Sequence, residues 1–215
     1  METLRQPREQ SGLCAGQVNA GGANLGESEF PAPSLNSGHQ LTAINQHADI
    51  VHSPIVKSLL WQDETQTRIF AQQLAQQALI RDCFVELHGE LGAGKTSLAR
   101  YLLQALGVTG RIKSPTYAVV EPYTVAATSD AAPPLHIWHF DFYRFTDPHE
   151  WEDAGFRELF ASPGLKIAEW PEKAGAFLPT ADLVIRIEVG HGALRQVSLL
   201  GQTARGAVLA GSTRP

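Results

Sequence analysis

A chain of 215 residues, of which 43% are hydrophobic and 18% charged, is long enough to bury one sizeable core. Its formal net charge of −5 excludes a generally basic, nucleic-acid-binding surface, so any contact with RNA would be local or made through a partner. No apolar run approaches the roughly 20 residues that a membrane span needs, and the N-terminus does not read as a secretory signal. With only Cys14 and Cys83 as cysteines, we expect a soluble, cytoplasmic protein without disulfides or membrane contacts.

Residues 1–54 are rich in Gly, Ser, Asn and Gln and lack apolar periodicity, which predicts a disordered extension. The folded domain is predicted over residues 55–204, followed by a C-terminal tail over 205–215 whose last residues are frayed. Strands are predicted at 56–60, 84–88, 118–124, 135–141, 165–169, 182–189 and 194–200, the last two forming a hairpin.

Three helices are predicted between these strands. The first begins at Asp63, which has capping-box spacing to Gln66, and runs to about residue 79 with Ile69, Phe70, Leu74 and Ala78 on its buried face. The second runs from about 95 to 106 and stops at Gly107. The third starts at residues 147–150 and ends near 160.

The central motif is a phosphate-binding loop between a short apolar strand and an amphipathic helix. Residues 89–96 fit the pattern G-x-x-x-x-G-K-[ST], with Gly89, Gly94, Lys95 and Thr96 at its fixed positions. Gly89, Gly92 and Gly94 give backbone amides room to approach phosphate. The Lys95 ammonium can reach β- and γ-phosphate oxygens, and the Thr96 hydroxyl can join a magnesium shell.

Strands and helices alternate early in the chain, and strands cluster late. This order predicts a three-layer α/β fold, a P-loop NTPase with a mixed sheet that is parallel near the phosphate loop and antiparallel at one edge.

Two downstream strands end on an acid, Asp141 and Glu169. Ligands of open α/β sheets bind outside the carboxyl ends of the strands, so we expect one acid to contact magnesium and the other to position water. Trp170 either packs against the base or ribose, or makes ordinary packing contacts. His136 and His139 fall on opposite faces of their strand, which argues against a shared metal.

The segment Ser114-Pro115-Thr116 follows the phosphate loop after a short interval. Small hydroxyls beside a proline-fixed turn are typical of segments that sense a γ-phosphate, but they are equally compatible with an ordinary loop.

Four motifs together resemble the bacterial TsaE (YjeE) family. They are Gly-Glu-Leu-Gly-Ala-Gly-Lys-Thr from Gly89, Lys-Ser-Pro-Thr-Tyr from Lys113, His-Phe-Asp-Phe-Tyr-Arg from His139, and Glu-Trp-Pro-Glu-Lys from Glu169. The likeness covers about residues 60–200, and the long polar N-terminal extension departs from the family. The family is the ATPase component of the machinery that makes threonylcarbamoyladenosine in tRNA.

The resemblance implies a site for ATP and Mg²⁺. It implies that Thr96 and Glu169 bind magnesium, that Lys95 and Asp141 serve hydrolysis, and that Ser114, Pro115 and Thr116 form a switch-like segment. The implied ATP-binding residues are Glu64, Gly89, Glu90, Leu91, Gly92, Ala93, Gly94, Lys95, Thr96, Ser97, Trp170 and Arg195.

The resemblance also implies partners, namely a TsaD-like transferase subunit and a TsaB-like scaffold, with tRNA contacted indirectly. Slow ATP hydrolysis would then reset that complex rather than perform the transfer.

Two other functions stay open at the level of sequence. A small phosphotransferase usually carries an arginine-rich lid, whereas the region from 142 to 165 holds only Arg144 and Arg157. A binding module without turnover would use Lys95 and Thr96 only as a conformational switch.

Overall fold

The computed structural model describes residues 55–127 and 133–213. The extension predicted for 1–54, which includes Cys14, lies outside the described residues. Within the described part, no helix has both the length and the apolar character needed to cross a bilayer.

In the described part of the chain, seven strands form one sheet in the order β1-β7-β6-β2-β5-β4-β3. Strands β6, β2, β5 and β4 are parallel, whereas β1 and β7 at one edge and β3 at the other run antiparallel to their neighbours. The predicted mixed α/β sheet is confirmed, with antiparallel strands at both edges rather than one. The strands are β1 (Ile55–Trp61), β2 (Phe84–His88), β3 (Val120–Val125), β4 (Leu135–Asp141), β5 (Leu165–Glu169), β6 (Leu183–Val189) and β7 (Arg195–Gly201).

Helices cover both faces of the sheet and complete three layers. Alternating strand residues divide between the two faces: Val85 and Leu87 of β2 join the core beneath α1 and α2, while Phe84 joins an aromatic core with Trp151 and Phe156 of α3 and α4. The helices are α1 (Glu64–Ala75), α2 (Lys95–Ala105), α3 (Glu150–Asp153), α4 (Phe156–Ala161) and α5 (Ala204–Ser212).

Helix α1 begins as predicted, since the Asp63 side chain accepts a hydrogen bond from the Gln66 amide at 3.1 Å. It ends earlier than predicted, at Ala75, and residues Ala78–Asp82 form a 3₁₀ turn. Its buried face is centred on Phe70, Ala71 and Leu74, so Ile69 was placed wrongly and is 46% exposed.

The single helix predicted over 147–160 is instead two short helices. Gly155, with φ of +70°, separates α3 from α4, because a left-handed residue cannot continue an α-helix.

Residues 205–215 were predicted to form a C-terminal tail with frayed last residues; residues 214–215 lie outside the described residues, and the rest of this segment is mostly helical. Helix α5 occupies it, capped by the Thr203 hydroxyl, which accepts from the Gly206 amide at 3.1 Å, and it buries Leu209 and Ala210.

Candidate nucleotide-binding site

The loop between β2 and α2 turns at three glycines with positive φ: Gly89 at +140°, Gly92 at +80° and Gly94 at +111°. A Cβ on Gly92 or Gly94 would meet no atom within 4 Å, so both leave open space beside the backbone. A Cβ on Gly89 would lie 2.2 Å from the carbonyl oxygen of Ile187 on β6. Close packing against β6 therefore requires glycine at position 89, whereas Gly92 and Gly94 fit the predicted close approach of a ligand.

Helix α2 starts at Lys95, directly after Gly94, and no side chain caps it. The amides of its first turn have no acceptor within the helix, and the helix dipole favours negative charge at this end. The loop and helix together thus present the backbone donors that a phosphate group requires.

Lys95 is buried, with only 4% of its surface exposed. Its Nζ donates to the carbonyl oxygens of Gly89 at 2.6 Å and Glu90 at 2.9 Å, and lies 3.9 Å from the centroid of the Trp170 ring. Burial lowers the pKa of Lys95, although nearby carboxylates, Glu169 foremost, act to raise it. A phosphate would therefore offer this desolvated cation an ionic partner.

Glu169 lies at the end of β5 with 1% of its surface exposed. One carboxylate oxygen, Oε2, accepts from the Thr96 hydroxyl at 2.7 Å. The other oxygen, Oε1, lies 2.9 Å from Nε2 of the buried His139 on β4. The carboxylate is thus held from two sides, by the phosphate-loop helix and by the adjacent strand.

Asp141 ends β4 and is also buried, with 3% of its surface exposed. Its Oδ2 accepts from the Thr116 hydroxyl at 2.7 Å, and its Oδ1 accepts from the Tyr143 amide at 3.0 Å. Thr116 in turn shares a hydrogen bond of 2.9 Å with the Ser114 hydroxyl. The carbonyl of the buried Pro115 accepts from the Val119 amide at 2.7 Å, which braces the same turn.

These groups enclose a cavity of about 270 Å³ beside the phosphate loop. It brings together ten of the predicted site residues with Tyr143, which was not predicted. The lining residues are Leu91, Gly92, Gly94, Lys95, Thr96, Ser97, Thr116, Asp141, Tyr143, Glu169 and Trp170.

The donor set at the cavity fits magnesium. The Thr96 hydroxyl and the Glu169 carboxylate are hard oxygen ligands, 2.7 Å apart. Over residues 55–127 and 133–213, no group of three or more His, Cys, Asp or Glu side chains could hold a metal by itself. Mg²⁺ usually binds through one or two protein ligands together with substrate phosphates and water.

Five predicted nucleotide contacts lie outside the residues that line the cavity: Glu64, Gly89, Glu90, Ala93 and Arg195. Glu64 Oε1 accepts a hydrogen bond from the Tyr101 hydroxyl on α2. Arg195 Nε donates to the carbonyl of Ala93 at 3.0 Å and so supports the phosphate loop through its backbone. Their contacts with nucleotide stay predictions.

Sequence reasoning missed His139 and Tyr143 as members of the site. A signal was present for both: His139 precedes Asp141 by two positions on one strand, which places the two side chains on the same face. Tyr143 follows Asp141 by two positions, and its ring lies 5.0 Å from that of Trp170.

Known proteins resemble this chain in sequence and in fold. The sequence model described as "Threonylcarbamoyl adenosine biosynthesis protein TsaE" matches residues 61–197. The chain belongs to the TsaE family. A relative from Haemophilus influenzae, the tRNA threonylcarbamoyladenosine biosynthesis protein TsaE, is 40% identical over 137 residues, which are 64% of this chain and 82% of the relative.

A sequence relative and a solved structure, both from Bacillus subtilis, support the same assignment. The TsaE protein of that organism is 33% identical over 135 residues, covering 62% of this chain and 79% of the relative. The crystal structure of Bacillus subtilis YdiB superimposes with a TM-score of 0.56 at 25% identity and covers 73% of this chain and 94% of YdiB. The TsaE fold seen here is thus shared with a solved structure.

Proposed function

We propose that this TsaE-family chain binds ATP with Mg²⁺, hydrolyses it slowly, and serves the threonylcarbamoyladenosine modification of tRNA. The observation that carries the proposal is the cavity in which the phosphate loop, Lys95, Thr96 and Glu169 meet. The modification is proposed because relatives at 40% and 33% identity are tRNA threonylcarbamoyladenosine biosynthesis proteins.

In this proposal each lining group has one task. The amides of the loop and of the first turn of α2 bind the phosphates, and the Lys95 ammonium leaves its carbonyl acceptors for the β- and γ-phosphate oxygens. Thr96 and Glu169 hold magnesium, which when bound neutralises negative charge on the phosphates. Asp141 orients the attacking water, and the hydrogen bond from Thr116 to Asp141 couples the position of this carboxylate to the 114–116 segment.

The scarcity of arginine at the cavity supports slow hydrolysis over a phosphotransferase. The Arg144 guanidinium stacks at 4.2 Å from the Tyr117 ring centroid, and Arg157 pairs with Glu152 at 3.0 Å. Neither arginine lines the cavity. Fast phosphoryl transfer commonly relies on an arginine near the transferred group. Since no arginine among the described residues lines the cavity, we infer that a partner supplies one.

The partners we propose are a TsaD-like transferase subunit and a TsaB-like scaffold, with tRNA reached only through them. The segment 114–116 is a candidate to transmit the state of the nucleotide to these subunits, because Thr116 binds Asp141 directly.

The test measures nucleotide binding by calorimetry and phosphate release with and without the two partner proteins. We expect ATP to bind in magnesium buffer, and phosphate release to rise when the partners are added. Lys95→Ala should abolish binding, while Lys57→Ala on β1 serves as a matched lysine control. Binding without any phosphate release would favour the switch module, phosphate on an added small acceptor would favour a kinase, and no binding at all would refute the proposal.

A further inference from the structure

Among the described residues, the Glu169 carboxylate has two side-chain hydrogen-bond partners, Thr96 and His139. Of these two, Thr96 lines the cavity and His139 does not. His139 is 1% exposed and projects from β4 toward the end of β5. Its Nε2 contacts Oε1 of Glu169 at 2.9 Å, whereas the Thr96 hydroxyl contacts the other oxygen. The two contacts fix the carboxylate in one orientation.

The hydrogen-bond roles follow from the chemistry of the two groups. An ionised carboxylate only accepts hydrogen bonds, so Nε2 of His139 carries the hydrogen and donates it in the hydrogen bond to Glu169. The other ring nitrogen, Nδ1, is buried and has no partner among the described residues. A buried nitrogen without a partner is unfavourable.

An apolar side chain at position 139 would avoid that unfavourable burial. The neighbours Ile137 on β4 and Ile167 on β5 are both fully buried and apolar. Packing alone therefore does not account for a histidine here, and the contact with Glu169 is the interaction that does.

We propose that His139 is a positioning residue for the magnesium site. By holding Oε1 of Glu169, it directs Oε2 toward the Thr96 hydroxyl and the cavity, where the metal would be held. This inference rests on the proposed function of the site. Partners that orient metal-binding carboxylates from outside the coordination shell commonly change metal affinity by about 10- to 100-fold when removed.

The experiment measures the affinity for ADP by calorimetry, with and without magnesium, in the full chain. The ratio of the two affinities reports how well the metal is held and does not depend on hydrolysis. We expect His139→Leu to reduce this ratio about tenfold while leaving the metal-free affinity for ADP close to the wild-type value. His139→Gln, whose amide nitrogen occupies roughly the position of Nε2, should restore most of the ratio.

His136→Leu is the matched control, because His136 lies on the same strand but faces the opposite side and contacts Thr124. We expect it to leave the ratio unchanged. If His139→Leu fails to fold, His139→Asn replaces it, since the asparagine amide is too short to reach Glu169 and should lower the ratio while His139→Gln does not.

The outcomes separate this inference from the proposed function. Wild-type protein that binds no nucleotide would refute the proposed function and this inference with it. Wild-type protein that shows a magnesium effect, together with a folded His139→Leu variant that shows the same effect, would overturn the role of His139 alone. Equal loss of metal-free and metal-bound affinity would also overturn it, since that pattern indicates a purely structural residue.

Discussion

Asp141 and Glu169 are direct partners in the parallel pairing of β4 with β5, so the two carboxylates end adjacent strands at the same level. Each accepts a hydrogen bond of 2.7 Å from a threonine hydroxyl, Asp141 from Thr116 and Glu169 from Thr96. The two threonines belong to different segments, one in the loop before β3 and the other in α2. The two acids therefore lie side by side at one edge of the cavity, and each is hydrogen-bonded to a different segment of the chain.

Glu169→Ala should weaken magnesium-dependent hydrolysis more than metal-free nucleotide binding. The substitution removes a proposed metal ligand, so we expect hydrolysis to fall by at least the roughly tenfold that loss of an outer-shell partner costs. Phosphate release and calorimetry with ADP in metal-free buffer measure the two effects. Glu188→Ala, at an exposed position on β6, is the control, and an equal loss of hydrolysis and metal-free binding would make Glu169 a structural residue.

Asp141→Asn should lower the rate of hydrolysis and leave the affinity for Mg-ATP nearly unchanged. Asparagine keeps the shape of the side chain but loses its charge. Its NH₂ group only donates, so one of the two hydrogen bonds that Asp141 accepts from Thr116 and from the Tyr143 amide is lost. Loss of a general base or water-orienting group typically costs about 10²- to 10⁴-fold. Single-turnover phosphate release gives the rate, and a parallel drop in magnesium affinity would instead place Asp141 at the metal.

Gly89→Ala should destabilise the fold through contact with β6. The new Cβ would lie 2.2 Å from the Ile187 carbonyl oxygen, and φ is +140°. Backbone strain and overpacking together are expected to lower the free energy of unfolding by about 3 kcal/mol. The control is Gly192→Ala, which has φ of +64° but open space, and should cost only about 1–2 kcal/mol. Urea denaturation measures both, and equal costs would contradict the clash.

Binding of ATP should weaken as the pH rises above the lowered pKa of Lys95. Burial lowers this pKa in the free protein, and a bound phosphate would raise it again. Between the pKa of Lys95 in the free protein and its pKa in the complex, ATP binding takes up a proton, so the affinity falls as the pH rises. Below both pKa values Lys95 is protonated in both states and adds no pH dependence to the affinity.

Calorimetry across the alkaline range in two buffers with different ionisation enthalpies detects this proton uptake, since the ATP phosphates are already fully ionised there. Lys95→Arg is the control, because arginine remains protonated and should bind without taking up a proton. An affinity for ATP that stays constant across the alkaline range, without proton uptake, would contradict a lowered pKa of Lys95 in the free protein.

Much of the site could be predicted from sequence because the relevant signals are local. The phosphate loop has fixed spacing between Gly89 and Thr96, and β4 and β5 are short apolar segments that each end on an acid. The order of strands in the sheet is not local. The contact between His139 and Glu169 depends on β4 lying next to β5, and the need for glycine at position 89 depends on β6 lying next to β2.

Helix α5 was not predicted from the sequence, and its glycines explain why. Glycine inside a helix is normally unfavourable, and α5 contains Gly206 and Gly211. A Cβ on Gly206 would lie 1.6 Å from the Asp182 carbonyl oxygen, so close packing against the start of β6 requires glycine. The residue that weakens the local helix signal is thus the one that lets the helix dock.

That docking point lies just before β6, whereas the phosphate loop follows β2, which runs parallel to β6. The packed start of α5 is therefore at the end of the sheet away from the nucleotide. Val208 on this helix is 54% exposed, so a fluorophore attached through Val208→Cys would report on binding of the proposed partners without blocking the cavity. Truncating the chain before Ala204 would instead uncover core residues and shorten its lifetime under proteolysis.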